Sequence, residues 1–462
     1  MEGDKREIKF SYAAFVVGAV FLTIVLGMFL FEAPLEIMFM LSWLIAIPLL
    51  MKLGYRYGEL QEMAWKMAVQ SFEPNLILLV IGTMIATWIA SGTIPYIIYL
   101  GLKLLSPNHF LISALIMASA TSMATGTSWG TLGTIGVALT GIGSAMGVPA
   151  PMTAGAIISG AYFGDKMSPI SDSTVLAASI AGTTVGRHIR HMLYTTVPAY
   201  AISAVLFSVI GKLTANPNSA PGMIEEIVMS LNRIYGFSGV ELLPIAIVVL
   251  LLILKMPSIM SLMVGSVSGL VIAVLCHGVR LPDIFRYMVS GYEIETGSEF
   301  LNTLLCRGGT NSMISSVLAV FLALCISGML EHTGVLKVLI APLVDKCGDS
   351  VFKIVACTMA LTYITNGIGS SMLFASIVTG TIMRPMFENN DLAPENLSRT
   401  LEDGGTLGAV LIPWNSNAIY ASQMLGVMPL QFIPYCFLNW ITPVLSLIYA
   451  RLGIFIKHTR RQ

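Results

Sequence analysis

The chain has 462 residues, of which 55% are hydrophobic and only 11% charged, and its mean hydropathy is +0.81. Soluble domains carry about 25% charged residues, so this composition excludes a soluble globular protein and points to an integral membrane protein. The 25 basic residues balance the 25 acidic ones, which excludes the basic face that a nucleic-acid partner requires.

At the N-terminus, Lys5, Arg6 and Lys9 precede an apolar run from Phe10 to Phe31. That run is long enough to span a bilayer and has no A-x-A cleavage site, so it is predicted to remain as the first helix. Residues 52–73 mix Lys52, Arg56, Glu59, Glu62, Lys66 and Glu73 with apolar residues and predict an amphipathic surface helix or loop. Further runs free of Asp, Glu, Lys and Arg occupy 37–51, 74–102, 104–164, 191–211, 256–279, 308–330, 354–383 and 404–450, with a shorter one at 242–254. The two longest must fold back on themselves, and Gly126, Gly130, Gly133, Gly141, Pro149 and Pro151 interrupt the first, Pro413 and Pro434 the second. The fold class expected is an all-α polytopic membrane protein of about ten to twelve hydrophobic segments, some of them re-entrant. Residues 212–240 read as a polar linker between a first membrane repeat, 1–211, and a second, 241–462, and 280–307 as a further polar connection with Glu293, Glu295 and Glu299. Arg451, Lys457, Arg460 and Arg461 follow the last apolar run. Basic flanks mark the cytoplasmic side, so both termini are expected there, in a plasma membrane or bacterial inner membrane.

Between Leu104 and Gly186 only Asp165, Lys166 and Asp172 are charged, and all three lie within Gly164–Thr174. An ionisable group among membrane segments must be offset by a partner, a cavity or a bound ion, and so marks a candidate functional site. The same region recurs. Pro169 and Gly182 each lie 244 residues before Pro413 and Gly426, so that Ser171-Asp172-Ser173 falls on Asn415-Ser416-Asn417. Upstream, Thr125-Gly126 aligns with Asn366-Gly367, and downstream Pro198 aligns with Pro443. Paired Gly/Pro-interrupted hydrophobic segments point to a transporter binding site.

The chemistry follows from the breaks. Proline removes a backbone donor and clashes with the preceding turn, so Pro169 and Pro413 should break helices. The freed carbonyls, with Ser171, Ser173, Thr174, Asn415, Ser416 and Asn417, can surround a hard cation; interhelical hydrogen bonding is the plainer role for isolated residues of these types. Thr125-Gly126-Thr127-Ser128 and Asn366-Gly367, with Ser370, read as two re-entrant tips, with small-residue helix packing as the alternative. Asp165, Asp172, Glu402 and Asp403 supply carboxylates for which Na⁺ and H⁺ can compete. Asp172, bracketed by hydroxyls, is the preferred Na⁺ ligand together with Asn415 and Asn417, and Lys166 is read as the ion-pair partner of Asp165. The six cysteines show no metal or disulfide spacing and read as small apolar residues. His188 and His191 read as interfacial.

Phe163-Gly164-Asp165-Lys166-Met167-Ser168-Pro169-Ile170-Ser171-Asp172-Ser173-Thr174 resembles the "FGDK-SP-SD-T" signature of the NhaC family of Na⁺/H⁺ antiporters. Leu397-Ser398-Arg399-Thr400, Glu402-Asp403 and Leu411-Ile412-Pro413-Trp414-Asn415 resemble its second signature. The resemblance spans nearly the whole chain. It implies inverted repeats, re-entrant hairpins and broken helices, and exchange of Na⁺ for H⁺ by alternating access, without enzymatic chemistry or a bound cofactor. Some members of that family resemble exchangers of organic acids such as malate and lactate with Na⁺ and H⁺. That alternative needs a cation in the cavity, for which Lys166 and Arg399 are the nearby residues. A channel would need a continuous pore, and a membrane enzyme a convergent nucleophile or metal cluster. The expected partners are Na⁺, H⁺ and the lipid bilayer, and the sequence leaves a homodimer open.

Overall fold

The computed structural model describes residues 7–31, 33–214, 221–348 and 350–459, and among them the chain forms helices and no strand. The first half runs through α1 (Phe10–Leu30), α2 (Leu35–Met51), α3 (Tyr57–Ala68), α4 (Phe72–Ala90), α5 (Thr93–Leu104) and α6 (Phe110–Thr125). It continues through α7 (Ser128–Thr131), a π-helical turn (Leu132–Gly136), α8 (Val137–Ala145), α9 (Ala150–Met167), α10 (Asp172–Ala181) and α11 (Val185–Thr214). The second half contains α12 (Pro221–Tyr235), α13 (Leu243–Ile253), α14 (Ser258–His277), α15 (Leu281–Ser290), α16 (Glu299–Leu305), α17 (Ile314–His332) and α18 (Val335–Asp345). It ends with α19 (Val351–Gly369), α20 (Met372–Asn389), α21 (Pro394–Leu401), a second π-helical turn (Glu402–Thr406), α22 (Leu407–Ala409), α23 (Ser416–Leu425), α24 (Pro429–Phe432) and α25 (Phe437–Leu452).

Among the described residues, six helical stretches are long and apolar enough to cross a bilayer, or nine if three sharply bent pairs each make one crossing. Two shorter apolar helices, Leu35–Met51 and Asp172–Ala181, add to these. Two sequence readings change. Residues 52–73 are not a separate surface element: α3 runs through a 3₁₀ turn into α4 as one 34-residue helix, Tyr57–Ala90, and buries Leu60, Ala64 and Met67 on the side packed against α17. Within the 212–240 linker, α12 is a 15-residue helix that packs on α5, and Phe237 just beyond it sits 4.8 Å from the ring of Tyr96; residues 215–220 lie outside the described residues.

The two halves pack reciprocally. Helix α4 packs on α14 and α15 while α17 packs on α2 and α3, and α9 meets α25 as α11 meets α21. Left-handed backbone recurs in register at Gly92 and Gly334, at Gly126 and Ser370, and at Gly182 and Gly426. These pairs are separated by 242, 244 and 244 residues.

Upstream of the first break, α6 packs closely against α9. A Cβ on Gly160 would lie 2.3 Å from the Leu115 carbonyl oxygen, and one on Gly164 would lie 2.4 Å from the Met123 amide nitrogen. Small residues one helical turn apart therefore let the two backbones touch, as membrane helices without a hydrophobic driving force between them require. This contact sets Asp165, the next residue, against the tip that follows α6.

Candidate functional site

Both prolines interrupt helices. Helix α9 ends at Met167, the chain extends at Ser168, and α10 begins at Asp172. In the second half the helix ends at Ala409, and α23 begins only at Ser416, capped by Asn415, whose side-chain oxygen accepts from the Asn417 amide at 3.0 Å. The bend at each break follows from the missing proline N–H and the ring clash with the preceding turn.

Asp165, 3% exposed, is the centre of the first cluster. Its carboxylate accepts from the Ser128 hydroxyl at 2.6 Å and from the Ser171 hydroxyl, so one side chain ties the tip at Ser128 to the break at Ser171. Ser173 lies 3.1 Å from Ser171, and Thr174 donates to the Lys166 carbonyl at 3.0 Å, satisfying an orphan carbonyl at the end of α9. The Gly126 turn rests on the break itself, where a Cβ would meet Ile170 at 2.6 Å. Thr125 bonds back to Thr121 within its helix, and Thr127 caps α7 by accepting from the Gly130 amide.

The expected shell around Asp172 does not form. Asp172 is exposed, and among the described residues its side chain makes no hydrogen bond, to Asn415, Asn417 or any other. Ser171 is still extended as the N-cap of α10, so its hydroxyl reaches back to Asp165, while Asp172, the first residue of α10, turns outward. Asp165 and Lys166, successive residues of α9, point about 100° apart. Lys166, fully buried, forms its ion pair with Asp403 of the second half, not with Asp165. Thr195 of α11 also donates to Asp403, at 3.2 Å.

The second cluster is neutral and densely bonded. The Asn415 amide donates to the Asn366 carbonyl at 3.0 Å, and Asn366 donates to the carbonyl of Gly405, in the second π-helical turn, at 2.8 Å. Trp414 donates to the Gly367 carbonyl at 2.8 Å. Within the expected tip, from Asn366 to Ser371, Gly367 is still helical and it is Ser370 that takes the left-handed conformation at φ 50°. Ser371 then caps α20 in the same way that Thr127 caps α7. A glycine search misses this turn because a serine makes it. It is held there by tertiary bonds, since the Ser370 carbonyl accepts from the amide and hydroxyl of Ser416 and its own hydroxyl donates to Trp414 at 3.0 Å.

A non-glycine residue held at positive φ stores about 1–3 kcal/mol of strain, most for a β-branched side chain. Ser370→Gly is therefore expected to melt close to the parent protein, and Ser370→Val clearly below it, in a thermal unfolding assay of purified protein. Equal melting of the valine variant would show that the turn is not held as described.

Asn417, 2% exposed, joins the clusters. Its side-chain oxygen accepts from Trp129 of the first tip at 2.9 Å and from Tyr162 of α9 at 3.0 Å, while its amide donates to Asn415 at 2.9 Å. Tyr420 stacks on Trp129 at 4.0 Å and donates to its carbonyl at 2.7 Å. Sequence reading passed over Trp129, Tyr162 and Tyr420; the signal available was a tryptophan among Gly, Ser and Thr, where a pure packing face would carry small residues.

Glu402 and Asp403 are buried in the second π-helical turn, a helix defect that often accompanies functional sites. Neither oxygen of Glu402 makes a hydrogen bond of ordinary geometry, although Thr406, Ser173, Lys166 and Asp165 are its electrostatic neighbours. His188 and His191 are buried within the protein: His188 lies 2.8 Å from the Ser398 hydroxyl and His191 3.2 Å from Asn396. The cysteines form no disulfide, and two of them, Cys276 and Cys306, are exposed rather than buried. Among the described residues no three His, Cys, Asp or Glu side chains converge as ligands for one ion. A cation shell here would have to draw on hydroxyl, amide and carbonyl oxygens around a single carboxylate, which is the donor set of a hard monovalent cation rather than of a transition metal.

The chain was compared with known proteins. The sequence model of the Na⁺/H⁺ antiporter family matches residues 7–184 and 160–454. The malate-2H⁺/Na⁺-lactate antiporter of Bacillus subtilis (strain 168) is 39% identical over 96% of this chain and 95% of its own. The Na⁺/H⁺ antiporter NhaC of Alkalihalophilus pseudofirmus is 32% identical over 97% of both chains. The arginine/ornithine antiporter ArcD of Halobacterium salinarum is 36% identical over 87% of this chain and 83% of its own. With a family match across nearly its full length and relatives of this identity and coverage, the chain belongs to the Na⁺/H⁺ antiporter family.

Proposed function

We propose that the protein exchanges Na⁺ for H⁺ across the plasma membrane, with Asp165 as the carboxylate for which the two ions compete. The observation that supports this most directly is charge. Asp165 and Glu402 are both buried and neither makes an ion pair among the described residues. A buried carboxylate without a partner is stable when protonated or when a cation sits beside it. Na⁺ would take oxygens from Asp165, Ser128, Ser171 and the opened carbonyls of the break; a proton would take Asp165 alone. The network through Asn417 and the Lys166–Asp403 pair links this site to the second half, so that occupancy can bias how the halves sit. In this reading the reciprocal packing reflects inverted repeats that rock about the site, with both termini cytoplasmic.

A second reading is favoured by the relative that exchanges malate and lactate: an organic acid travels with the ions. Proteoliposomes containing the purified chain separate the two. With an inward Na⁺ gradient and no organic acid, Na⁺-driven alkalinisation of a trapped pH dye is expected. Proton movement that needs malate or lactate would establish organic-acid exchange instead, and absence of movement under both conditions would exclude either.

A further inference from the structure

Away from the ion site, the first turns of α11, the start of α21 and the segment after α25 enclose a cavity of about 410 Å³. Its charged lining is Arg187, Arg190, Lys457 and Glu395. Glu395 is already committed to Lys457, at 3.0 Å, and neither Arg187 nor Arg190 makes an ion pair among the described residues. Two guanidinium groups therefore line the cavity with no acid among the described residues left to neutralise them.

The walls are built rather than loose. Residues 457–459 are clipped to the α20–α21 connection: Ala393 and Asn396 donate to the Lys457 carbonyl at 2.9 and 2.7 Å, and the Thr459 amide donates to Asp391 at 2.9 Å. Tyr194 stacks on Phe455 at 4.5 Å. Behind that wall Arg399, 1% exposed, donates to the Phe455 carbonyl at 2.9 Å, and its Nε is buried without a partner. Positive charge is thus concentrated on both sides of an aromatic wall, in a chain whose net charge is zero.

We propose that this cavity binds an oxyanion, a phosphate or carboxylate group, held between Arg187 and Arg190. Planar guanidinium forks match the two oxygens of such groups, and charge-assisted bonds of this kind are the strong ones. The volume admits a small anion or the headgroup of an acidic lipid, and either source offers the same chemistry. Because α21 leads directly into Glu402 and Asp403, a bound anion would fasten α11, the C-terminal segment and the broken helix to one another. The proposal concerns binding and stands whether or not the transported species are Na⁺ and H⁺.

The test uses the full chain in nanodiscs at fixed Na⁺, read by melting temperature and by calorimetric titration. In phosphatidylcholine discs, added inorganic phosphate is expected to stabilise the protein saturably; if the natural source is lipid, the stabilisation appears on including phosphatidylglycerol instead. In either arm Arg187→Gln/Arg190→Gln should weaken the effect at least about tenfold, as expected for losing two charged hydrogen bonds. Both residues are exposed, so folding is not at stake. The exposed pair Lys212→Gln/Arg233→Gln makes the same change in net charge elsewhere and should leave the effect intact. No saturable stabilisation in either arm, or an equal response from the two double variants, would overturn the proposal.

Discussion

Asp165→Asn is expected to abolish exchange. The amide keeps the shape, but its one oxygen can accept from only one of Ser128 and Ser171, which donate to different carboxylate oxygens, and it neither carries charge nor binds a proton. Attraction between unit charges about 4 Å apart is about 4 kcal/mol at an effective dielectric of about 20, so losing the charge predicts a loss of Na⁺ affinity of about 100- to 1000-fold. Ser128→Ala and Ser171→Ala each remove one bond to the carboxylate, worth about 1.5–3 kcal/mol, and should fall in between. Asp172→Asn is the informative control, because that side chain is exposed and outside the network. It should keep exchange, with at most a modest change in apparent Na⁺ affinity. Rates in proteoliposomes, on variants shown to be folded and inserted, decide the matter. Exchange by Asp165→Asn with the parent's pH profile, or its disappearance in Asp172→Asn alone, would move the site.

The second large effect is on stability. Lys166 and Asp403 are a fully buried ion pair between the halves, and removing one partner strands the other's charge, at a cost of about 3–5 kcal/mol. Lys166→Met and Asp403→Leu should each lower the melting midpoint strongly. The double variant should melt well above either single one, because well-packed apolar replacements of a buried pair are often neutral. Losses that simply add in the double variant would show that the two residues do not stabilise each other. The readout is melting alone, so it does not depend on which ions are carried.

Several features were legible from residue order because they depend on local chemistry. Proline removes a backbone donor from a helix, and Pro169 and Pro413 lie just beyond helix ends, whereas Pro198 and Pro443 are carried inside α11 and α25. Gly182 and Gly426 end their helices in left-handed turns, as their matched spacing suggested. Which residue of the second tip makes the turn is not legible in the sequence, because Ser370 has no intrinsic preference for the conformation it adopts; its bonds to Trp414 and Ser416, more than forty residues away, impose it. His188 and His191 read as interfacial from their place near a helix end. That they are buried within the protein follows from α21 packing over that end, a contact that no periodicity in α11 announces.

By itself, the sequence determined the membrane class, the helical content, the family and the position of both helix breaks, since each follows from hydropathy, composition or the covalent geometry of proline. Which carboxylate sits among the hydroxyls at the break was decided only by tertiary structure. Asp165, Lys166 and Asp172 are neighbours along the chain, yet the turn of α9 points the first two apart and the break after Met167 puts the third on another helix. The close approach of α6 and α9 at Gly160 and Gly164 brings Ser128 to the first, the second π-helical turn brings Asp403 to the second, and the third has no partner among the described residues.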